Sequence, residues 1–285
     1  MGAFATPILV VFVGLYVIPL ARSAYFSFTD YDGYSPEVSF VGFANYGRVL
    51  TDATLLASIG FTLGYAVATT LLVTLAAIPL AVVLNRAFVG RGFTRSIFFF
   101  PAVPSAAILG LVWGFILNPL GSGALNSLLT GVFKVAPVPW LAENQLAQAS
   151  VVAVALWSRT GWHAILYLAY LQSIPSEYYE VALIDGATRM QQFRCITLPL
   201  LAPAMTVSWL LLMTDGLKVY DLPFTLTGGG PGYATRTITQ SIIQSGIARG
   251  DYGAASALSL LFLLAVGTII LAQLVLSRRL EANIS

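Results

Sequence analysis

The sequence is poor in charge, in cysteine and in histidine. Only 9% of its 285 residues are Asp, Glu, Lys or Arg, whereas about a quarter of the residues in a soluble domain carry charge. The single cysteine, Cys195, excludes an internal disulfide and a multi-cysteine metal site. The net charge of +2 is too small, and the basic residues are too scattered, to favour nucleic-acid binding. These shortages argue against a soluble domain, a disulfide scaffold and a nucleic-acid-binding protein.

Groups that carry out catalysis are also scarce. The only histidine, His163, lies inside an apolar run and has no serine and aspartate arranged around it as a triad. Glu180 and Asp185 are five residues apart, which is typical of a solvated helix face. The chain has no Walker sequence, so ATP would have to be hydrolysed by a separate polypeptide. We therefore predict no catalytic residue, no metal site and no cofactor bound by this chain.

Apolar residues dominate instead. They make up 58% of the chain, and the mean hydropathy is +0.83, values that indicate an integral membrane protein. A membrane-spanning helix needs about 20 apolar residues, and six such segments occur, at about 4–20, 58–84, 96–117, 147–171, 199–217 and 252–276. We read the first as a retained span and not a signal peptide, because it lacks a basic leader and is long. The expected fold is all-α, with residues 1–285 forming one transmembrane domain.

The distribution of Lys and Arg predicts the orientation. Short connections on one side are dense in arginine, and longer loops on the other side carry scattered basic residues. The dense side holds Arg86, Arg91, Arg95, Arg189, Arg194, Arg278 and Arg279, and the other side holds Arg22, Arg48, Lys134, Arg236 and Arg249. We therefore expect the loop at 175–198 and both termini to be cytoplasmic.

The polar stretch at 180–200, EVALIDGATRMQQFRCITLPL, is ordered in a way that apolar packing does not require. Ser176 is placed to cap a short helix that starts at Glu177, and Gly186 can end that helix at positive φ. Thr188 and Gln191 have the spacing of a capping box, which predicts a second helix. The sequence thus predicts two short helices joined by a glycine elbow at the membrane surface.

This stretch resembles the EAA loop of binding-protein-dependent ABC importer permeases. The matching residues are Glu180-Val181-Ala182, Asp185-Gly186-Ala187 and Ile196-Thr197-Leu198-Pro199, with Val181 in place of the usual alanine. Four further segments resemble the sugar-type branch of that family, which includes the maltose and glycerol-3-phosphate importers. They are SFTDY at 27–31, FVGFANY at 40–46, LTGGGPG at 226–232 and YGAASA at 252–257.

The resemblance implies a type I ABC importer permease fold with six transmembrane helices and a cytoplasmic coupling helix. It also implies partners: a second permease subunit, two cytoplasmic ATP-binding subunits that use ATP and Mg, and an extracytoplasmic solute-binding protein. The solute would be a sugar, either an oligosaccharide or a related polyol, and the location a bacterial or archaeal cell membrane. The residues implied to couple to the ATPase are Glu180, Ala182, Asp185, Gly186 and Ala187.

Polar groups inside predicted spans mark the expected interior. Arg159 and His163 are four residues apart and should share a helix face, and Asp215 and Lys218 are three apart and could pair. By the resemblance, the helices that flank the EAA loop line the solute cavity. The candidate lining residues are Trp157, Ser158, Arg159, Trp162, His163, Trp209, Asp215 and Tyr220.

Other interpretations of these residues remain open. The arginine and histidine could make interhelical contacts, and the tryptophans could anchor the chain at the membrane interface. A secondary transporter or channel could use Asp215, Lys218 and His163 as an ion relay. A membrane enzyme is a third possibility, although paired catalytic residues are missing from the sequence.

Overall fold

The computed structural model describes residues 2–120 and 123–282, and this part of the chain is helical. The ends of the predicted domain, residues 1 and 285, lie outside it. The α-helices are α1 (Gly2–Phe12), α2 (Ile18–Phe26), α3 (Ala44–Thr51), α4 (Ala53–Asn85), α5 (Arg91–Phe99), α6 (Ala106–Ile116), α7 (Ala124–Gly131), α8 (Asn144–Leu171), α9 (Glu177–Ile184), α10 (Arg189–Gln192), α11 (Leu198–Leu200), α12 (Ala202–Leu217), α13 (Asp221–Thr227), α14 (Ile238–Ile243) and α15 (Tyr252–Ala282). π-helical turns occupy Val13–Val17, Phe193–Thr197 and Gln244–Ala248. The one β-bridge in the described residues joins Thr29 and Phe40.

Several of these helices are suited to a membrane. Within the described residues, Thr6–Phe26, Ala53–Asn85 and Tyr252–Ser277 are each long and apolar enough to cross one, and the number rises to five if each of two bent helix pairs forms one span. The 28-residue helix α8, which contains Arg159 and His163, is long enough but is not in that set. The six-span arrangement therefore stays a prediction.

Helix α4 begins where its sequence provides a cap. The Asp52 carboxylate accepts hydrogen bonds from the backbone N–H groups of Thr54 and Leu55, at 2.7 and 3.3 Å. The Thr54 hydroxyl also donates to this carboxylate, and this bond lowers the pKa of Asp52 below its ordinary value. An ionised carboxylate at this position satisfies N–H groups that have no partner within the helix.

Helices α5 and α6 meet at a sharp break inside the segment 96–117. The helical stretches Arg91–Ala102 and Ala106–Ile116 are bent by 91°. Pro101 and Pro104 lie at the bend, where a missing backbone N–H and a clashing ring oppose a continuous helix. Ser105 then caps α6 by accepting a hydrogen bond from the Ile108 N–H. The segment is thus two helices at nearly a right angle and not a straight span.

The central packing unit consists of α4, α8 and α12. Its buried residues include several alanines, which let the helix backbones approach closely; they are Ala77, Ala81, Ala164 and Ala204. Gly216 of α12 has the same role, because a Cβ there would lie 2.8 Å from the Ala66 Cα of α4. This unit holds α8 and α12, which carry the predicted interior residues, in fixed register.

A second contact, which we call the outer clasp, consists of Ser27, Thr29, Asn45, Arg48 and Asp251. The Asn45 side chain donates to the carbonyls of Ser27 and Thr29 at 2.9 and 2.8 Å. Arg48 forms an ion pair with Asp251 at 3.0 Å. The clasp joins the segment before α4 to the residue that precedes α15. Two of the segments on which the sequence resemblance rests, at 27–31 and 40–46, contribute residues to it.

The close packing of α8 leads to a stability prediction. Gly161 faces the backbone carbonyl of Phe98, and an added Cβ would overlap that oxygen. We expect Gly161→Ala to lower the free energy of unfolding in detergent by about 1–3 kcal/mol, since the clash is with backbone. The matched control is Gly64→Ala in α4, where a Cβ would meet nothing within 4 Å. Equal thermal denaturation of the two variants would contradict the prediction.

Candidate functional site

A cavity of about 380 Å³ lies where α8 and α12 face the break between α5 and α6. Its volume is within the range of about 300–1,000 Å³ that is usual for small-molecule sites. The lining residues are Pro101, Ala102, Pro104, Ala106, Leu109, Ser158, Arg159, Trp162, His163, Leu211 and Asp215. Five of the eight residues predicted from the sequence are therefore brought together here.

The polar groups of the cavity are arranged across two helices. Arg159 Nη1 lies 3.6 Å from Asp215 Oδ2, and the Asp215 side chain remains 67% exposed. His163 is buried, and its Nδ1 lies 2.8 Å from the Ser208 hydroxyl of α12. The contact with Ser208 fixes the orientation of the imidazole ring. The looser ion pair leaves an arginine and a carboxylate facing the same space.

The pairing of Asp215 with Lys218 that their spacing allowed is not the ion pair seen in the described residues, where Asp215 lies next to Arg159. Lys218 is the C-cap residue of α12, and its backbone N–H still donates to the Thr214 carbonyl at 3.3 Å, so its side chain starts from the last turn of the helix. Lys218 instead lines a separate pocket with Leu20 and Ser23 of α2. Asp215 is thus an interhelical partner of Arg159.

Trp162 gives the cavity an aromatic face. Its ring packs edge-on against His163, with 4.7 Å between the ring centroids, and 40% of the residue is exposed. An indole ring offers a broad apolar face and one N–H donor. With Ser158, the arginine and the carboxylate nearby, the cavity combines an aromatic surface with hydrogen-bond donors and acceptors.

Three predicted lining residues lie elsewhere. Trp157 packs edge-on against Trp113 at 5.3 Å, and Tyr220 stacks on Phe224 at 5.0 Å. The Trp209 indole N–H donates to the Thr74 hydroxyl of α4 at 3.0 Å. Trp157 and Trp209 therefore contact neighbouring helices, Tyr220 packs on the helix that it precedes, and none of the three lines the cavity.

The sequence reasoning also missed one wall of the cavity. That wall is the α5–α6 break, including Pro101 and Pro104. Two prolines within an apolar run were the available signal, because each opposes a continuous helix.

At the predicted elbow, α9 ends in the way the glycine indicates. The Ala187 N–H donates to the Ala182 carbonyl at 2.8 Å, and the Gly186 N–H donates to the Leu183 carbonyl at 3.1 Å. This pair of bonds is a Schellman motif, and Gly186 has the positive φ of 75° that it requires. The glycine elbow predicted from the sequence is confirmed.

The two predicted caps have different outcomes. The capping box is confirmed, since the Thr188 N–H donates to Gln191 Oε1 and the Gln191 N–H donates to the Thr188 hydroxyl. The predicted Ser176 cap is wrong, because its side chain makes no capping hydrogen bond. Ser176 already has helical φ and ψ, so its hydroxyl does not face the first N–H groups of α9.

Helix α9 exposes an apolar surface, which we call the α9 patch: Tyr178, Val181, Leu183 and Ile184, with exposures from 55% to 86%. Of the predicted coupling residues, Glu180, Asp185 and Gly186 are exposed, while Ala182 and Ala187 are half-buried. On its other side, α9 is tied to the chain that leads into α12, since the Tyr179 hydroxyl lies 3.0 Å from the Thr197 hydroxyl. The helix is exposed on one side and bonded on the other.

Comparison with known proteins agrees with this architecture. Residues 73–282 match the family described as "Binding-protein-dependent transport system inner membrane component". The chain is 31% identical over 280 residues to a probable starch degradation products transport system permease protein, AmyD, of Thermoanaerobacterium thermosulfurigenes, covering 98% of this chain and 94% of the relative. It is 35% identical to the trehalose/maltose transport system permease protein MalF of Thermococcus litoralis, covering 90% and 85%.

A solved structure shows the same fold. A bacterial ABC transporter involved in the import of the acidic polysaccharide alginate superposes with a TM-score of 0.85 at 23% identity, covering 97% of this chain and 94% of that one. The predicted all-α, type I ABC importer permease fold is thereby confirmed. The family match extends over most of the chain and includes α8, α9 and α12. The chain therefore belongs to the family of binding-protein-dependent transport system inner membrane components.

Proposed function

We propose that this chain is one permease subunit of an ATP-driven sugar importer. It receives solute from an extracytoplasmic binding protein and passes it across the membrane by alternating access. The observation that carries the proposal is that the exposed α9 patch and the cavity are connected through consecutive helices. The α9 patch is exposed for docking, and α9 leads through α10 and α11 into α12, which contributes Leu211 and Asp215 to the cavity.

The cavity chemistry supports a sugar as the solute. Sugars are bound by aromatic faces stacked on the ring and by hydrogen bonds to hydroxyl groups. Trp162 supplies the face, and Ser158, Arg159 and Asp215 supply donors and acceptors. Arg159 and Asp215 cancel in charge, which favours a neutral oligosaccharide or polyol over an anion. The named sugars of the two relatives agree with this choice of solute class.

The α9 patch supports an ATPase partner. Tyr178, Val181, Leu183 and Ile184 are apolar groups exposed next to the carboxylates of Glu180 and Asp185. Exposed apolar surface rimmed by polar groups is typical of a protein interface. We assign the α9 patch as the surface that docks on one of two cytoplasmic ATP-binding subunits, which use ATP and Mg. The residues of this chain that couple to that subunit are Glu180, Ala182, Asp185, Gly186 and Ala187.

The remaining assignments rest on the family and on the sequence. A second permease subunit completes the pathway, and the assembly lies in a bacterial or archaeal cell membrane. The density of arginine in the short connections supports cytoplasmic termini. A relay of Asp215, Lys218 and His163 is not favoured, because Lys218 does not line the cavity that holds the other two.

The docking role of α9 can be tested by placing a charge in the patch. We expect Ile184→Asp to weaken association with the ATP-binding subunits by more than about thirtyfold, since a buried unpaired charge is costly at an interface. The measurement is copurification from membranes followed by titration of the ATPase. The control is Val89→Asp, which changes a fully exposed apolar residue in another loop. Unchanged association of the Ile184 variant would overturn the assignment.

The elbow can be tested separately from docking. Proline at 186 cannot adopt the φ of 75° and removes the N–H that bonds Leu183. We expect the Gly186→Pro variant to insert into the membrane normally. Because the substitution strains the elbow, uptake should fall by about tenfold or more, while ATP hydrolysis by the complete importer continues. Gly90→Pro, at another glycine with positive φ, is the control. Normal uptake by the Gly186 variant would count against coupling through this turn.

The role of the cavity can be tested by comparing Trp162, which lines it, with Trp157, which does not. Removing the aromatic face with Trp162→Ala should lower sugar uptake by about tenfold, the equivalent of ~1.4 kcal/mol. Trp157→Ala removes a ring of the same size that packs against Trp113 outside the cavity. Both variants are assayed in proteoliposomes with the partner subunits. An equal loss in both would show that tryptophan packing, and not cavity lining, controls uptake.

A further inference from the structure

We propose that a second pocket, at the C-terminal end of α4, binds the phosphate-bearing headgroup of an anionic phospholipid. This basic pocket has a volume of about 430 Å³ and is separate from the solute cavity. Its lining includes Asn85, Arg86, Leu171, Arg189, Gln192 and Phe193. The inference requires neither the identity of the solute nor the presence of an ATPase.

The charge of the pocket points to an anion. Among the described residues that line it are two arginines and no carboxylate. In the described residues the ion pairs are Arg48–Asp251 and Arg159–Asp215, so neither Arg86 nor Arg189 is in one. A guanidinium presents a planar fork of donors that matches phosphate oxygens. Asn85 and Gln192 add neutral amide donors beside the two arginines.

The position of the pocket points to a lipid. Arg86 directly follows α4, which ends at Asn85, and Arg189 opens the bent helix pair Arg189–Leu200 and Ala202–Leu217. Arg86 therefore stands at the end of an apolar helix, where a bilayer has its headgroups, and the shared pocket places Arg189 beside it. Leu171 and Phe193 give the same pocket an apolar wall. A ligand with phosphate and acyl chain fits this mixed lining better than free phosphate.

A headgroup held there would connect separate parts of the chain. Arg86 belongs to the end of α4, and Arg189 is the first residue of α10, just beyond the glycine elbow. Tyr179 of α9 also lines the pocket. A phosphate bound by both arginines would link the central packing unit to the elbow through the lipid headgroup.

The test measures lipid binding to the purified full chain in detergent by native mass spectrometry, with the thermal midpoint as a second readout. The probes are dioctanoyl phosphatidylglycerol, dioctanoyl phosphatidylcholine and inorganic phosphate. We expect phosphatidylglycerol to bind and to raise the thermal midpoint. The double substitution Arg86→Gln and Arg189→Gln should weaken its binding by roughly 25-fold, or about fivefold per arginine.

The matched control is the double substitution Arg91→Gln and Arg194→Gln, which removes the same charge from nearby arginines that do not line the pocket. Selective loss in the pocket variant supports the site. Equal loss in both variants would indicate a diffuse basic surface and overturn it. Equal binding of phosphatidylcholine would overturn the headgroup assignment, and phosphate binding as tight as phosphatidylglycerol would overturn the lipid assignment. Because the assay uses no solute and no ATP, its failure would leave the proposed import function standing.

Discussion

The close approach of α4 to α8 and α12 is the contact on which the other features depend. Apolar helices gain little hydrophobic free energy from leaving lipid for one another, so their association relies on packing and on polar contacts. Here alanines and Gly216 bring the backbones together, and Gly161 brings α8 against Phe98. The 380 Å³ cavity lies where the chain turns by 91° at two prolines, and this α5–α6 break forms one of its walls.

The cost of polar groups in a membrane explains how the interior is arranged. A charge at the centre of a spanning helix costs about 2.5–3.5 kcal/mol on insertion scales, so it needs a partner or a wet cavity. Other polar side chains in these helices form hydrogen bonds to a neighbouring helix. His163 bonds to Ser208, and the Trp209 indole N–H donates to Thr74. Arg159 and Asp215 combine a loose partner with an open cavity. Polar residues of similar type therefore divide into groups that hold helices together and groups that face the cavity.

The parts of this structure that depend on local sequence could be predicted, and those that depend on tertiary packing could not. Gly186 and the Thr188 capping box specify their own turns, and helical periodicity put Arg159, Trp162 and His163 on one face. The prediction of a Ser176 cap was wrong because the preference of serine for cap positions is a statistical tendency, and the helical backbone at Ser176 overrides it. The cavity wall at the α5–α6 break and the partner of Asp215 depend on contacts between distant segments.

The outer clasp has a consequence for how the protein is made. It joins residues that lie far apart in the chain, since Arg48 and Asp251 are separated by 203 positions. A further bond runs from the Gly253 N–H to the Tyr31 carbonyl at 3.0 Å. At about 5–20 residues per second, a ribosome needs roughly 10–40 s to make the intervening chain. During that interval the segment that leads into α4 lacks its contacts with Asp251 and Gly253, and these contacts form only after the start of α15 has been made.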